Sequence, residues 1–373
     1  MSSGPPVIEG VELRRVRMPL VRPFRTSFGS IDTKDVLLLR VVTADGDGWG
    51  ECVTSLEPLY ASEFLEGSSV VLRDHLVPAL TDLDRLDVNR LGPILGRFAG
   101  HRMTKAALEM AVWDAELRAL EQPLSRALGA VVDAVPAGVS VGIAPSIPAL
   151  VDEVRSYVDG GYRRIKLKIE PGWDLEPVAA IREEFGDVPL QVDANTAYSL
   201  ADVNHLRRLD EFDLLLIEQP LDEEALLAHA ELARHLRTPV CLDESITSAR
   251  AAIDAIRLGA CSVVNIKAGR VGGYLEARRV HDVCRAAGMA VWCGGMVETG
   301  LGRAANAALA ALPGMTLPGD VSGSSRFYAE DITVPLEPVD GMVTVPTGPG
   351  IGARPDPARL DEVTVSTEWL GVA

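Results

Sequence analysis

Residues 163–169 read RRIKLKI, 189–195 PLQVDAN, 214–220 LLLIEQP, 239–245 PVCLDES and 261–267 CSVVNIK, five short apolar runs that each carry a charged side chain at or near their end. Those residues, Lys168, Asp193, Glu218, Asp243 and Lys267, stand 25, 25, 25 and 24 positions apart. A helical pattern follows each run, so a strand plus a helix repeats. Units of this length build a parallel sheet, and eight of them close into a barrel whose chemistry sits at the C-terminal strand ends. Five neighbouring strands therefore aim three carboxylates and two amines at one mouth.

Working outward, AGVSVG (137–142) supplies the first strand, and AVWCGGM (290–296) with MTLPGD (315–320) brings the count to eight. Upstream, VELRRVRMPL and DVLLLRVVTADGDGWGECV read as antiparallel strands turning through Asp45-Gly46-Asp47-Gly48, and residues 61–127 are helical. Downstream of Phe327, DITVPLEP, MVTVPTGPGIG and DEVTVST are short strands with too little apolar mass for their own core. The expected fold is α/β: a modified (β/α)8 barrel of the TIM type at 131–327, an α+β N-terminal capping domain at 1–130, and a C-terminal segment, 328–373, that returns to the cap.

At 373 residues the chain exceeds the roughly 250 that such a barrel needs, which leaves about a third for the cap. Hydrophobic residues make up 47%, enough for a large core. A formal net charge of -17 repels phosphate backbones and anionic lipid, which argues against nucleic acid and membrane partners. Cys52, Cys241, Cys261, Cys284 and Cys293 lack metal-type spacing and read as reduced core thiols. MSSGPPVIEGVELRRV has no apolar signal core, and no apolar run of about 18 residues could span a bilayer. A cytoplasmic homo-oligomer acting on a small-molecule carboxylate is expected.

Residues i and i+2 of a strand share a face, so Lys166 and Lys168 face the barrel interior together. A buried ammonium loses hydration worth several kcal/mol and demands nearby negative charge, or a task that needs a neutral amine. Asp193, Glu218 and Asp243 supply the charge, and three converging carboxylates call in turn for a cation. Oxygen donors suit Mg²⁺, with Mn²⁺ or another divalent cation as substitutes, and its open positions accept a substrate carboxylate or enolate oxygen. Lys168 and Lys267 come from the second and sixth strands, so a ligand at the metal lies between two bases. The metal and the second lysine disfavour the ammonium form, and a neutral amine near pH 7 is expected. Lys168, Lys267 and Lys166 are thus the catalytic candidates and Asp193, Glu218 and Asp243 the metal ligands. Any one of them taken singly reads as a helix cap or a surface charge.

With those motifs on the page, the chain resembles the enolase superfamily in its muconate-lactonizing branch. The likeness spans nearly the whole chain and is carried by Lys166-Leu167-Lys168, Val192-Asp193-Ala194-Asn195, Ile217-Glu218-Gln219-Pro220, Leu242-Asp243-Glu244-Ser245 and Asn265-Ile266-Lys267. Pro23-Phe24-Arg25-Thr26-Ser27-Phe28-Gly29, Lys267-Ala268-Gly269-Arg270-Val271-Gly272-Gly273 and the run Gly319–Phe327 look like the group of o-succinylbenzoate synthases and N-acylamino acid racemases. That resemblance implies syn-dehydration of a cyclohexadiene carboxylate in menaquinone synthesis, with Lys168 as base and Lys267 as a cation on the opposite face. It equally implies racemisation of N-succinylamino acids by the same two lysines alternating as acid and base. Muconate cycloisomerase shares these lysines and ligands and stays open as an alternative. The mandelate-racemase branch places a histidine near the seventh strand, and 290–296 holds none. Dipeptide epimerases carry Asp-x-Asp where this chain has Gly319-Asp320-Val321-Ser322.

Around this set, Arg270 stands one helical turn beyond Lys267, where it either biases that lysine towards the neutral amine or is an ordinary solvated arginine. Phe24–Gly29, with two aromatic rings and no strand pattern, reads as a lid over the mouth or as a packing loop. Ser140 and Gly294-Gly295-Met296 are expected to line the distal part of the substrate, the glycines letting backbone approach it. Asn195 is a further substrate contact and Glu244 a partner behind the ligands, or both are caps; Ser55 and Leu56 are cap-side contacts. An inactive carboxylate-binding relative would not need two opposed amines. A phosphate-binding barrel would not explain three acids.

Overall fold

The computed structural model describes residues 8–83 and 85–372. Met1–Val7, part of the segment read above as lacking a signal core, lie outside them.

Three antiparallel strands open the chain: β1 (Ile8–Thr26), β2 (Gly29–Thr43) and β3 (Gly46–Cys52). The turn between β2 and β3 is confined to Ala44-Asp45, so Gly46, Asp47 and Gly48 belong to the strand and not to the turn the sequence suggested. Close packing is the reason. The helix Arg102–Ala119 crosses β3 so tightly that a Cβ on Gly48 would stand 2.1 Å from the Ala115 nitrogen, and one on Gly50 2.0 Å from the Ala107 oxygen. Phe24–Thr26 also differ from the expected irregular loop, because they extend β1 and pair with Gly29–Ile31 beyond an irregularity at Pro19–Phe24. Phe24–Gly29, read above as a lid or a packing loop, is the tip of a β-hairpin, turning at Ser27-Phe28.

β4 (Ala134–Pro136) leads into a parallel sheet of seven strands: β5 (Gly138–Val141), β6 (Arg164–Lys168), β7 (Leu190–Asp193), β8 (Ile217–Glu218), β9 (Val240–Leu242), β10 (Val263–Ile266) and β11 (Ala290–Cys293), each beside its neighbour in sequence. The expected eighth strand, 315–320, is not regular. Pro318 has no N–H to donate to a ladder. The segment still closes the barrel, since Gly319 accepts from the Gly138 N–H at 2.7 Å while Thr316 and Asp320 donate to Val291 and Cys293 at 3.0 and 2.9 Å. β12 (Met342–Thr344) then pairs with β4, and β13 (Thr364–Gly371) with β1. Alternation along the barrel strands sends Ile165, Leu167 and Val192 into the main core under the helices. A separate cluster of Leu216, Cys241, Val263 and the fully buried Trp292 lies apart from that core. All five cysteines are buried and unpaired.

Two buried glutamates fasten cap to barrel. Glu51, on β3, accepts from Thr299 N and Oγ1 and from Gly302 N at 2.9, 2.7 and 3.1 Å, at the start of the helix Gly300–Ala310. Glu109 accepts from Leu275 N at 2.9 Å, at the start of the helix Tyr274–Ala286. Burial pushes both carboxyls up to about 7, with Glu298 adding to the effect on Glu51. A folded state that holds protons more tightly than the unfolded chain loses stability as pH rises, here from the ordinary 4.5 through about 7. The double variant Glu51→Gln/Glu109→Gln is therefore expected to flatten the fall of Tm across that window, measured by calorimetry; an unchanged slope would contradict the assignment.

Candidate active site

In-register pairing sets Lys168 on β6 beside Asp193 on β7, and Asp193 beside Glu218 on β8. Asp243 and Lys267 follow directly on β9 and β10. All five side chains, with Lys166, are buried. Lys168 Nζ lies 2.6 Å from both Asp193 Oδ2 and Asn195 Oδ1, and Lys267 Nζ lies 2.6 Å from Asp243 Oδ2. Lys166 Nζ sits among three acids, 2.6 Å from Asp320, 3.0 Å from Glu218 and 3.2 Å from Asp193, and 4.9 Å from the centre of the Trp292 ring.

The electrostatics follow from this pairing. Burial opposes the Asp193 carboxylate, but Lys168 and Lys166 outweigh it and hold the group well below the usual range. Burial likewise opposes Asp243, and Lys267 with Arg270 hold it low. Glu218 goes the other way, pushed up to about 8 by burial and then by Asp193. For Lys267 burial works against the charge, yet Asp243, Tyr60 and Glu218 together keep its proton affinity well above that of an ordinary lysine. At Lys267 the carboxylate of Asp243, 2.6 Å away, outweighs the neighbouring Arg270.

Among the described residues no three Asp, Glu, His or Cys side chains form a ready-made metal cage. Each of the three acids is turned towards an amine instead. The donor set nonetheless fits a hard divalent cation. One ammonium already bridges Asp193 and Glu218, and the buried Asp243 Oδ1 has no hydrogen bond.

A cavity of about 380 Å³ opens between cap and barrel, lined by Phe24, Phe28, Tyr60, Lys168, Asn195 and Lys267 among others. A smaller one of about 50 Å³ brings Ser140 together with all three lysines. The hairpin tip is fastened by Ser27 Oγ, which donates to the carbonyls of Ala194 and Asn195 at 3.2 Å each, and by Arg25 with Glu170 at 2.8 Å. Phe24 is buried edge-on to Phe327, with ring centres 5.7 Å apart. A cleft of about 550 Å³ at Arg102, Lys105 and Arg279 contains none of these groups.

Other expected contacts divide. Gly295 and Met296 line the larger cavity, with Ser55 and Leu56 opposite. Gly294 lines neither, and its lack of a side chain makes room for the protein itself: a Cβ there would stand 2.3 Å from Asn265 Oδ1 and 2.8 Å from Lys267 Cε. Asn195 is no cap. It bridges Lys168 and Glu244, donating to Glu244 Oε1 at 2.9 Å from a backbone with φ +40. Glu244 itself is pushed up to about 7 by burial and by Asp243. Arg270 is buried, 3.3 Å from Asp243 Oδ1 and 4.6 Å above the Tyr60 ring, which removes the solvated alternative.

Three further residues join the site. Tyr60 reaches down from the cap to Lys267 Nζ at 3.0 Å and Asp243 Oδ2 at 3.2 Å. Asn265 donates to Glu218 Oε1 at 2.6 Å. Asp320 holds Lys166 and Arg164. Extending the strand-end rule to the irregular eighth segment would have found Asp320; nothing in the sequence points to Tyr60.

Strand-borne acids and opposed lysines beneath a cap define a barrel of the enolase type. The chain belongs to the enolase superfamily: residues 8–129 match the mandelate racemase / muconate lactonizing enzyme N-terminal domain, and residues 149–359 the enolase C-terminal domain-like family. It is 64% identical over 98% of its length to an N-succinylamino acid racemase from Amycolatopsis sp, covering 99% of that protein. An o-succinylbenzoate synthase from Geobacillus kaustophilus is 45% identical, with 96% of each chain covered. A crystal structure of an enolase superfamily member from Listeria innocua Clip11262 superposes with a TM-score of 0.94 at 37% identity, covering 99% of this chain and 100% of that one. No helix among the described residues is long and apolar enough to cross a membrane.

If Asp193, Glu218 and Asp243 hold a divalent cation, Mg²⁺ stabilises the folded chain by mass action, about 2.7 kcal/mol at a hundred times its Kd. Titrating Mg²⁺ during thermal unfolding is expected to raise Tm, and Glu218→Gln is expected to abolish most of that rise.

Proposed function

We propose that this chain removes the proton α to a carboxylate, acting as an o-succinylbenzoate synthase, a lyase, and as an N-succinylamino acid racemase, an isomerase. The reading is carried by one observation: Lys168 and Lys267 line a single cavity, each beside an acid from a different strand. The two relatives bearing those names cover nearly the whole chain.

A divalent cation, Mg²⁺ or Mn²⁺, held by Asp193, Glu218 and Asp243 would supply Lewis acidity to the substrate carboxylate and so acidify its α-proton. The remaining work falls to the chain's own residues. In dehydration Lys168 Nζ, as the amine, takes the α-proton; the C–H pair becomes the new double bond and the β C–O bond breaks. The departing hydroxide recovers that proton from the Lys168 ammonium and leaves as water. Lys267, as an ammonium opposite, offsets the negative charge that develops on the substrate. In racemisation Lys168 removes the proton from one face and Lys267 delivers one to the other. The return direction exchanges their roles. Phe24, Phe28 and Tyr60 wall the cavity against water.

The return direction needs Lys267 as a neutral amine, and Arg270 works towards that form, lowering the proton affinity that Asp243 raises. Lys166, locked among Asp320, Glu218 and Asp193, serves as a fixed positive charge.

Two outcomes are expected. With Mg²⁺ in deuterated water, Lys168→Ala loses α-proton exchange from one enantiomer of an N-succinylamino acid and loses o-succinylbenzoate formation, by about a hundredfold or more. NMR and ultraviolet assays read both, and unchanged turnover would refute the role. Arg270→Met slows racemisation in the direction where Lys267 is the base more than it slows dehydration, and moves the corresponding limb of the pH–rate profile upward. Equal slowing of both reactions would show that Arg270 only supports the fold.

A further inference from the structure

The larger cavity has a cap end as well as a barrel end, and a fourth lysine stands there. Lys34, on β2, lines it beside Thr33 and Ser55 and is only 5% exposed. Its Nζ reaches two backbone carbonyls, Thr54 at 3.3 Å and Val53 at 3.4 Å, at the long limit for such contacts. Among the described residues it forms no ion pair, in contrast to Lys166, Lys168 and Lys267.

The acids nearest to it in charge are already engaged. Asp35 is held by Arg15 at 2.9 Å and Arg17 at 3.2 Å. Glu51 is taken up by the helix start at Thr299 and Gly302, and Glu298 by Met296 N at 2.7 Å and Asn306 Nδ2 at 2.8 Å. Asp32 and Glu57 are exposed at the cavity rim. Burial lowers the proton affinity of Lys34, and the engaged acids offset that only in part. A buried amine without a carboxylate partner, facing a cavity whose other end is built for a carboxylate, is the natural receptor for a second anion.

We infer that Lys34 anchors a second carboxylate, carried at the end of the substrate far from Asp193, Glu218 and Asp243, so that the site selects dicarboxylates over monocarboxylates. The inference rests on the proposed function and deepens it, since the succinyl group of the proposed substrates ends in such a carboxylate. Lys34 takes no part in proton transfer; it fixes the distal end and thereby orients the α-carbon between Lys168 and Lys267.

Calorimetric titration of the full chain with Mg²⁺ tests this, using N-succinylglycine and N-acetylglycine, which share the glycine carboxylate and differ in the second one. The wild type is expected to prefer N-succinylglycine, and Lys34→Met to remove that preference, weakening N-succinylglycine about tenfold, the value of one charge-assisted hydrogen bond, while leaving N-acetylglycine unchanged. Lys34→Arg is expected to keep most of the preference. Equal weakening of both ligands, which a purely structural tie to Val53 and Thr54 would produce, overturns the inference, as does a variant that retains the wild-type ratio. Should Lys34→Met not fold, the wild type decides: equal affinity for the two ligands overturns the inference, and a preference kept by Lys34→Arg supports it. Binding is read without turnover, so a chain that prefers N-succinylglycine yet exchanges no α-proton refutes the proposed reaction and leaves this assignment standing.

Discussion

A charge placed inside the barrel has to find its opposite there, because leaving water costs a lone ion several kcal/mol. The mouth of the barrel is arranged around that constraint. Lys168 with Asp193, Lys267 with Asp243, and Lys166 among Asp320, Glu218 and Asp193 form an alternating lattice in which no amine lacks an acid. The same groups that balance one another are those able to bind a cation and move a proton. Stability and chemistry draw on one set of contacts, which ties the loss of either to the loss of both.

The periodic part of this arrangement was open to view in the chain. Five charged residues in step with five apolar runs have few readings besides a parallel barrel, since strand-end placement is the only geometry that brings residues 25 apart to one point. What the sequence hid depends on contacts between parts far apart along it. Tyr60 lies 183 positions from Asp243, inside a stretch that carries no strong pattern of its own. Asp320 follows a segment that fails as a strand at Pro318, so periodicity ran out just where it was needed. The glycines of β3 read as a turn because local chemistry cannot distinguish a backbone that bends from one that must lie against a helix. Gly294 misled for the same reason, since the space it leaves is filled by Asn265 and Lys267.

The backbone near the site is under local strain. Asn195, Thr196, Gln219 and Val297 adopt left-handed conformations, and for the β-branched Val297 and Thr196 that is a genuine cost. These residues lie at or just past the ends of barrel strands, where the chain must turn sharply while still presenting Asn195 and Val297 to the cavity. The main core and the paired charges beneath hold them there.

The cap also depends on the order in which its strands are made. β1 lies between β2, which follows it directly, and β13, whose residues Thr364–Gly371 come after the entire barrel. During synthesis on a ribosome, that face of β1 therefore stays uncovered until more than three hundred further residues have been added, an interval in which a bare sheet edge invites pairing with a stranger. Arg14 and Arg15 lie on that waiting stretch, opposite Thr367 and Ser366 in the finished sheet.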